Sequence, residues 1–410
     1  MSSSKGIPVR IIFVNRYFHP DSLRSSQLLA DLAFELAAQK HDVTVVTSRR
    51  RHDDPSATLQ ARESMLDVKV LRIEEATGGF SGLPGLASDV LAFHRAIYQT
   101  LTELVKEGDI VVAMADPPML GSVCERAIRK QNAHLVNWLD ELYPEVTHAS
   151  EKPLPGPVAK LLQRARKHAL QHSSVTVVSS ENMARQLKDA GSVRKVSPWG
   201  MVAVDSPTSR SGDSLRQAWG LGNHFVIGYV GELHKVNDRE SLLTGIEQTA
   251  HMAGQGLRWL FIGGDEQMKL LRGSVPMRAM DMVQFQEALP MNRVAEGLAV
   301  PDLHVVSLLP AMEGAAFPGN LPAVLASGKP LIYLGDKDGE LGTLIEREGC
   351  GMVVQAGDGH GIAAAIAQLH AIPESRADMG RRARALYEKM FSRKQALEAW
   401  SGLLTEVAGG

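Results

Sequence analysis

The stretch from His304 to Val354 restricts the possible folds of this chain more than any other. It opens on an apolar, β-rich run at 304–309, followed by a loop at 310–320 rich in Gly, Ala and Pro. A short apolar helix is predicted at 321–327, and Gly328 stands where helices commonly end. Lys329 and Pro330 turn the chain into a second strand at 331–334. The polar loop GDKDGE leads to a second helix at 341–348, closed by Gly349, and a third strand begins at 352–354. Strand, helix, strand, helix, strand is the repeating unit of a parallel, doubly wound α/β sheet.

Each loop of such a unit joins the carboxyl end of a strand to the amino end of a helix. Unpaired N–H groups and the helix dipole attract anions there. A phosphorylated ligand suits that position, although many such loops bind nothing.

The chain opens on the same logic. A strand at Arg10–Val14, the loop NRYFHPDSLRSS, a helix at 27–39 and a strand at 41–47 form a βαβ unit. Further strands are read at 68–73, 109–113, 135–139 and 175–178, the last clear strand of this half. The 410 residues suit two domains. The polar run SPTSRSGDS places the boundary near 200–214, and a new sheet starts at 225–230. The expected division is residues 1–205 and 206–393.

Composition closes off several function classes. With 44% apolar and 22% charged residues the chain is globular. A net charge of −2 argues against a nucleic-acid-binding face. Cys124 and Cys350 lie far apart, which points to a reducing compartment rather than a disulfide framework. No run is long enough to cross a membrane, and the first apolar run is too short for a signal peptide. A cytoplasmic protein is expected. No Cys or His cluster is read with metal-ligand spacing, and no GxGxxG follows a strand.

Several residues invite two readings. His19 or Asp21 can seat a ligand after the first strand, or His19-Pro20-Asp21 only caps and turns the chain. Asp116 and Glu141 close strands and can contact a substrate, or cap the helices that follow. The glycine-rich stretch TGGFSGLPGLASDVLAF reads as a flexible rim, a lipid-facing surface, or a loop packed beneath a helix. In the helix at 158–172, Val158, Leu161, Leu162, Ala165 and Ala169 form a stripe beside Lys160, Arg164, Arg166, Lys167 and His168. It can lie on an anionic bilayer. The plainer alternative packs the stripe on the domain and exposes only a basic face.

The segments EGAAFPGNLPAVLASGKP and LIYLGDKDGELGTLIEREGCG resemble the donor-nucleotide region of retaining family 4 glycosyltransferases, in their bacterial exopolysaccharide and O-antigen branch. Glu313, Gly314, Phe317, Pro318, Gly328, Pro330, Gly335, Asp336, Asp338, Gly339 and Glu340 carry the likeness. HPDSLRSSQLLADLAFELA, Asp116-Pro117-Pro118 and DELYPE resemble the same branch, with Glu141 where Asp is usual. The resemblance implies a GT-B fold, two Rossmann-like parallel-sheet domains facing a central cleft, with a terminal helix at 394–407 packing back on the first. It implies a UDP- or GDP-sugar donor, no required cofactor or metal, and a glycan or polyprenyl-linked acceptor in surface polysaccharide synthesis, at the inner face of the membrane. The DKD run at 336–338 looks like the metal motif of another glycosyltransferase fold and is not read as one here.

The same resemblance places the donor against Gly231, Glu232, Lys235, Gly263, Glu313, Gly314, Phe317, Pro318, Gly319, Asn320 and Glu340. The acceptor falls near His19, Asp21, Asp116 and Glu141. Glu313 would face the donor sugar. Glu340 would approach ribose or diphosphate, or serve only as a first-turn helix residue. The branch pattern G-N-L-G-R-x-H becomes GELHKVN, so Lys235 keeps the cation while Glu232, His234 and Asn237 depart. Gly319 and Asn320 replace the usual Ser and Lys, and Leu321 stands where a second glutamate would complete the family's Glu pair. In such enzymes the donor phosphate is thought to assist departure of the leaving group, so no lone catalytic base is named. A nucleotide-sugar epimerase and a non-catalytic relative remain as alternatives.

Overall fold

The computed structural model describes residues 9–21, 23–52, 54, 56–74, 82–149, 153–200, 212–264 and 266–409. Most of the expected linker lies outside these residues. The chain divides into two compact units. The first takes in the chain up to Thr147, Pro153–Val196 and everything from Leu397 on; the second is chiefly Ser197–Ala396.

The first unit is built on eight strands: β1 (Arg10–Val14), β2 (Asp42–Ser48), β3 (Arg62–Met65), β4 (Val68–Ile73), β5 (Ile110–Met114), β6 (His134–Leu139), β7 (Val175–Val178) and β8 (Val193–Lys195). Their order is β3-β4-β2-β1-β5-β6-β7-β8. All pairings are parallel except β3 with β4. β1 and β5 are almost wholly buried because helices cover both faces of the sheet. β8 extends the sheet beyond β7, so 175–178 is not its last strand. The β3–β4 hairpin turns on Leu66 and Asp67, both with positive φ. That geometry favours Asn-Gly, and Leu-Asp gives no such signal in the sequence.

The second unit has six parallel strands: β9 (Phe225–Val230), β10 (Leu257–Ile262), β11 (Val283–Gln286), β12 (Leu303–Ser307), β13 (Leu331–Gly335) and β14 (Gly351–Gln355). Their order is β11-β10-β9-β12-β13-β14. The helices Leu321–Ala326 and Glu340–Glu348 fall between β12, β13 and β14, which gives the βαβαβ unit. Trp259, Phe261, Tyr229 and Ile332 are fully buried or nearly so and anchor the core. His304, on β12, is completely buried; its Nε2 lies 3.0 Å from the Leu298 carbonyl, and burial pushes its pKa down to about 4.

Two readings of the sequence are corrected. The glycine-rich stretch is not a loop from Gly82 on: Gly82–Leu104 is a helix, while residues 75–81 lie outside the described part. Glycine disfavours helix, but packing overrides it, because Phe93, Ile97 and Leu101 on this helix are fully buried in the first core. The second correction concerns helix Gly156–Gln171. Its stripe packs on the domain only in part: Ala169 is buried and Leu162 half-buried, but Val158 is 43% and Leu161 65% exposed, and Ala165 is exposed with them. Only Ala159, Ala169 and Leu170 are buried. Arg166 turns inward instead, paired with Glu145 at 2.5 Å.

The terminal helix Arg393–Gly409 brings Trp400 against Trp138 of β6, with ring centroids 4.6 Å apart. Ser401 Oγ donates to Gln39 Oε1 at 3.1 Å. No helix among the described residues is long and apolar enough to cross a membrane.

Candidate functional site

Chain direction sets where each sheet opens. In the second unit, connections run outward from β9 on one side and from β12 on the other, so strand order reverses between these two. Loops leaving the carboxyl ends of β9 and β12 flank that switch point, where open α/β sheets commonly bind ligands.

Two side-chain amides cross it. Asn237 is buried; its Oδ1 accepts from His234 N at 2.7 Å and its Nδ2 donates to the Ser307 carbonyl at 2.7 Å. Asn320 Nδ2 donates to the Val230 carbonyl at 3.3 Å. Leu309 N donates to the Val236 carbonyl at 2.8 Å, which ties the loops together again. Asn237 and Asn320, each a departure from the pattern the sequence resembles, thus brace the loops at the switch point.

Gly231, at φ +116°, adopts a backbone conformation that side chains resist. A Cβ on Gly263 would lie 2.7 Å from the Gly231 carbonyl oxygen, so this approach requires glycine. The N–H groups of both continue the ladders, Gly231 to the Ile262 carbonyl and Gly263 to the Gln286 carbonyl. They are therefore not presented to a ligand.

Of the helices that begin at this edge, three follow β9, β12 and β13, and two of these starts are already filled. Asp238 caps helix Arg239–Gln248, accepting from Ser241 N at 3.0 Å. Glu313 serves helix Glu340–Glu348: its Oε2 accepts from Glu340 N at 3.3 Å and its Oε1 from the Tyr333 hydroxyl at 3.2 Å. The third, Leu321–Ala326, follows Gly319 and Asn320 and carries no side-chain cap. Lys235 projects into solvent from the neighbouring loop, with no hydrogen bond or ion pair among the described residues. Glu232, on the same loop, lies 3.1 Å from His234 Nε2. Gly314 is half-buried and Pro318 buried, both within the 308–320 loop. Phe317 packs near Phe391 at 6.1 Å between centroids.

Tyr333, missed in the sequence, explains two motif glycines. A Cβ on Gly335 would sit 2.6 Å from the Tyr333 hydroxyl, and one on Gly339 would sit 2.2 Å from Glu313 Oε1. Both glycines make room for the Tyr333–Glu313 pair. Burial first, and the Glu313 charge second, push the phenol pKa up, so it stays a neutral donor.

The first unit reverses between β1 and β5. The loop after β1 carries His19 and Asp21, and that after β5 carries Asp116; Arg16 N donates to the Asp116 carbonyl at 2.9 Å. Asp21 is buried, and its carboxylate accepts from Leu23 N at 3.0 Å and His52 N at 2.5 Å. Its chemistry is that of a loop brace. The His19 carbonyl accepts from buried Arg72 at 2.7 Å, and burial, then Arg72, lowers the imidazole pKa. His94, also unforeseen, reaches the backbone at Pro118; burial, then Arg126, brings its pKa to about 4.

Glu141 lies one strand further along, on the rim of a cavity of about 40 Å³ with Asn137, Tyr143 and Arg166. Asn137 is buried, and neither polar atom of its amide has a hydrogen-bond partner among the described residues. A Cβ on Gly121 would sit 2.0 Å from Asn137 Oδ1. A polar group entering this cavity would meet an unsatisfied donor and acceptor.

The described geometry has known counterparts. Residues 26–198 match the family model described as a glycosyl transferase 4-like domain. No curated protein matches the chain. Among solved structures, sucrose-phosphate synthase from Thermosynechococcus elongatus superposes with a TM-score of 0.77 at 17% identity, over 97% of this chain and 99% of that one. Anabaena HepE in complex with UDP gives 0.69 at 17% identity, over 97% and 100%. WaaG, a glycosyltransferase involved in lipopolysaccharide biosynthesis, gives 0.66 at 14% identity, over 95% and 98%. The fold of the chain is the GT-B fold.

Proposed function

We propose that this GT-B chain is a glycosyltransferase that moves a sugar from a UDP- or GDP-sugar to a glycan or polyprenyl-linked acceptor, with retention, in surface polysaccharide synthesis. The observation that carries the reading is the uncapped helix start at Asn320, beside the switch point between β9 and β12 and next to the loop bearing Lys235. Its two neighbouring helix starts are filled by Asp238 and Glu313; here Leu321 N donates to the Pro318 carbonyl and Pro322 has no N–H, so the diphosphate is assigned to Ala323 N together with the Lys235 cation. HepE has been solved with UDP and with UDP-glucose, which supports a nucleotide-sugar donor here.

The second unit takes the donor and the first unit the acceptor, near His19, Asp116 and Glu141. Glu313, its carboxylate at the start of helix Glu340–Glu348, turns toward the sugar. The chain's own groups orient the reactants and steady the leaving diphosphate, and transfer requires no metal.

Lys235→Ala is expected to weaken UDP or GDP binding by about 1.5–3 kcal/mol, the usual worth of a charge-assisted hydrogen bond. Calorimetric titration reads it. Unchanged affinity in this variant removes the diphosphate from the assigned position. A binding-only relative is the second reading, favoured by the Glu232 carboxylate on the same loop. Sugar transfer from a panel of nucleotide-sugars, with product analysis, separates the two.

A peripheral position at the inner face of the membrane is also proposed. Val158, Leu161 and Ala165 are exposed on helix Gly156–Gln171 alongside Lys160, Arg164 and Lys167. Apolar side chains flanked by cations suit an anionic bilayer surface. Binding to phosphatidylserine-containing vesicles should fall about tenfold or more in Arg164→Glu with Lys167→Glu, at roughly 1 kcal/mol per charge. Equal binding by this double variant rejects the role.

A further inference from the structure

Helices Leu120–Ile128 and Gly156–Gln171 pack together in the first unit. They gather three groups that the sequence keeps apart: Glu125, His168 and His172. One potential ligand atom from each lies within 4.8 Å of the other two.

The spacing of His168 and His172 puts both imidazoles on one helix face, with ring centroids 4.2 Å apart. His172 Nδ1 lies 2.7 Å from the His168 carbonyl oxygen. A carbonyl only accepts, so Nδ1 carries the hydrogen and Nε2 keeps its lone pair. That division of roles is the one metal-binding histidines show. Glu125 is only 3% exposed, and its Oε1 has no hydrogen-bond partner among the described residues. Leaving a buried carboxylate oxygen unbonded is costly unless a cation completes it. Arg129 Nε stands 3.8 Å away on a side chain 60% exposed, too far for a hydrogen bond and free to swing aside.

We propose that Glu125, His168 and His172 bind one divalent transition-metal ion of the zinc type. Two imidazoles and one carboxylate suit zinc rather than calcium or magnesium, which prefer all-oxygen shells, and water would complete a tetrahedron. The ion clasps helix Gly156–Gln171 to its neighbour, near the end of the helix whose opposite portion exposes Val158 and Leu161. It holds the helix in place and takes no part in transfer. No His cluster with metal-ligand spacing was read in the sequence, so the i, i+4 histidine pair in HALQH, whose third ligand lies on another helix, was passed over.

The test titrates zinc into the untagged full-length chain by calorimetry, with cobalt absorption as a second reporter of coordination. One ion should bind per chain and raise the melting temperature. His168→Ala, His172→Ala and Glu125→Gln should each weaken zinc binding at least about tenfold, since even the outer partners of metal ligands are worth that much. Metal-free Glu125→Gln should be at least as stable as the parent, because it removes a buried, unbonded charge; loss of binding in it is then not misfolding. Parent-like zinc affinity in Glu125→Gln reduces the site to a surface histidine pair and overturns the proposal. One-to-one binding surviving removal of both histidines, or no binding at about 1 mM zinc, a concentration at which only weak sites stay empty, overturns it as well.

Discussion

Replacing Trp400 by alanine is expected to destabilise the first unit by about 3–5 kcal/mol, the range for emptying a buried aromatic site. Trp400 is fully buried although it belongs to the last helix of the chain, and it stacks obliquely on Trp138 at 4.6 Å. An aromatic pair of this kind adds about 0.5–1.5 kcal/mol to the area it buries. Truncation would open a void beside β6, the strand that also carries Asn137. Phenylalanine should cost less than half as much, because it keeps a ring there and removes an indole N–H that has no hydrogen-bond partner among the described residues. Hydrogen-exchange protection along β6 and β1 reads the first unit by itself, which a single melting curve of a two-unit chain does not. A loss below about 1 kcal/mol in Trp400→Ala would show the terminal helix to be an appendage rather than part of the first core.

What the sequence displayed follows from how local each signal is. Arg10–Val14 and Phe225–Val230 were legible to the residue, because parallel strands covered on both faces read as apolar runs, and Val68–Ile73 was legible from its β-branched and apolar residues around Lys69 and Arg72. The βαβαβ unit was legible because Gly328 and Gly349 end its helices in the left-handed conformation. By contrast, β3 and β11 were silent. Arg62–Met65 is an edge strand with alternating exposure, and Val283–Gln286 is only half-buried, so neither forms an apolar run. Helix Gly82–Leu104 was hidden by its glycines, since what stabilises it is packing of Phe93, Ile97 and Leu101 rather than propensity.

The candidate site was legible as an address and not as a mechanism. Glycines 231, 263, 335 and 339 marked places where backbone and side chains crowd together, which one residue type alone permits. What crowds them was not readable, because the partners are distant in sequence: the Gly231 carbonyl against Gly263, and Tyr333 and Glu313 against the GDKDGE turn. Asn237 and Asn320 looked like departures from the family pattern, the second standing where a lysine is usual. In the folded chain they are hydrogen-bonded braces across the switch point, a role that depends on Ser307 and Val230 being adjacent in space.

Glu313 is where structure and chemistry are hardest to separate, and its variants are expected to separate them. Its carboxylate accepts from Tyr333 and from Glu340 N, so Glu313→Ala leaves a fully buried phenol and a helix start unpaired. Stability of the second unit should fall by about 2–4 kcal/mol, the sum for two donors stranded in this way. Glu313→Gln keeps the shape and one acceptor oxygen, so one of the two donors loses its partner, and stability should fall by about 1–2 kcal/mol. If the carboxylate also steadies the donor sugar as charge develops, that same variant should bind UDP or GDP as the parent does, because the proposed position of the diphosphate is at the Asn320 helix start and Lys235 instead. Its kcat should nevertheless drop about 100-fold or more, the usual consequence of losing one well-placed electrostatic contact in the transition state. Tyr333→Phe supplies the control: it removes the hydroxyl that holds Glu313 and leaves the charge, so its effect on kcat should be smaller. Parent-like turnover in a folded, nucleotide-binding Glu313→Gln would confine Glu313 to capping helix Glu340–Glu348 and detach the sugar from it.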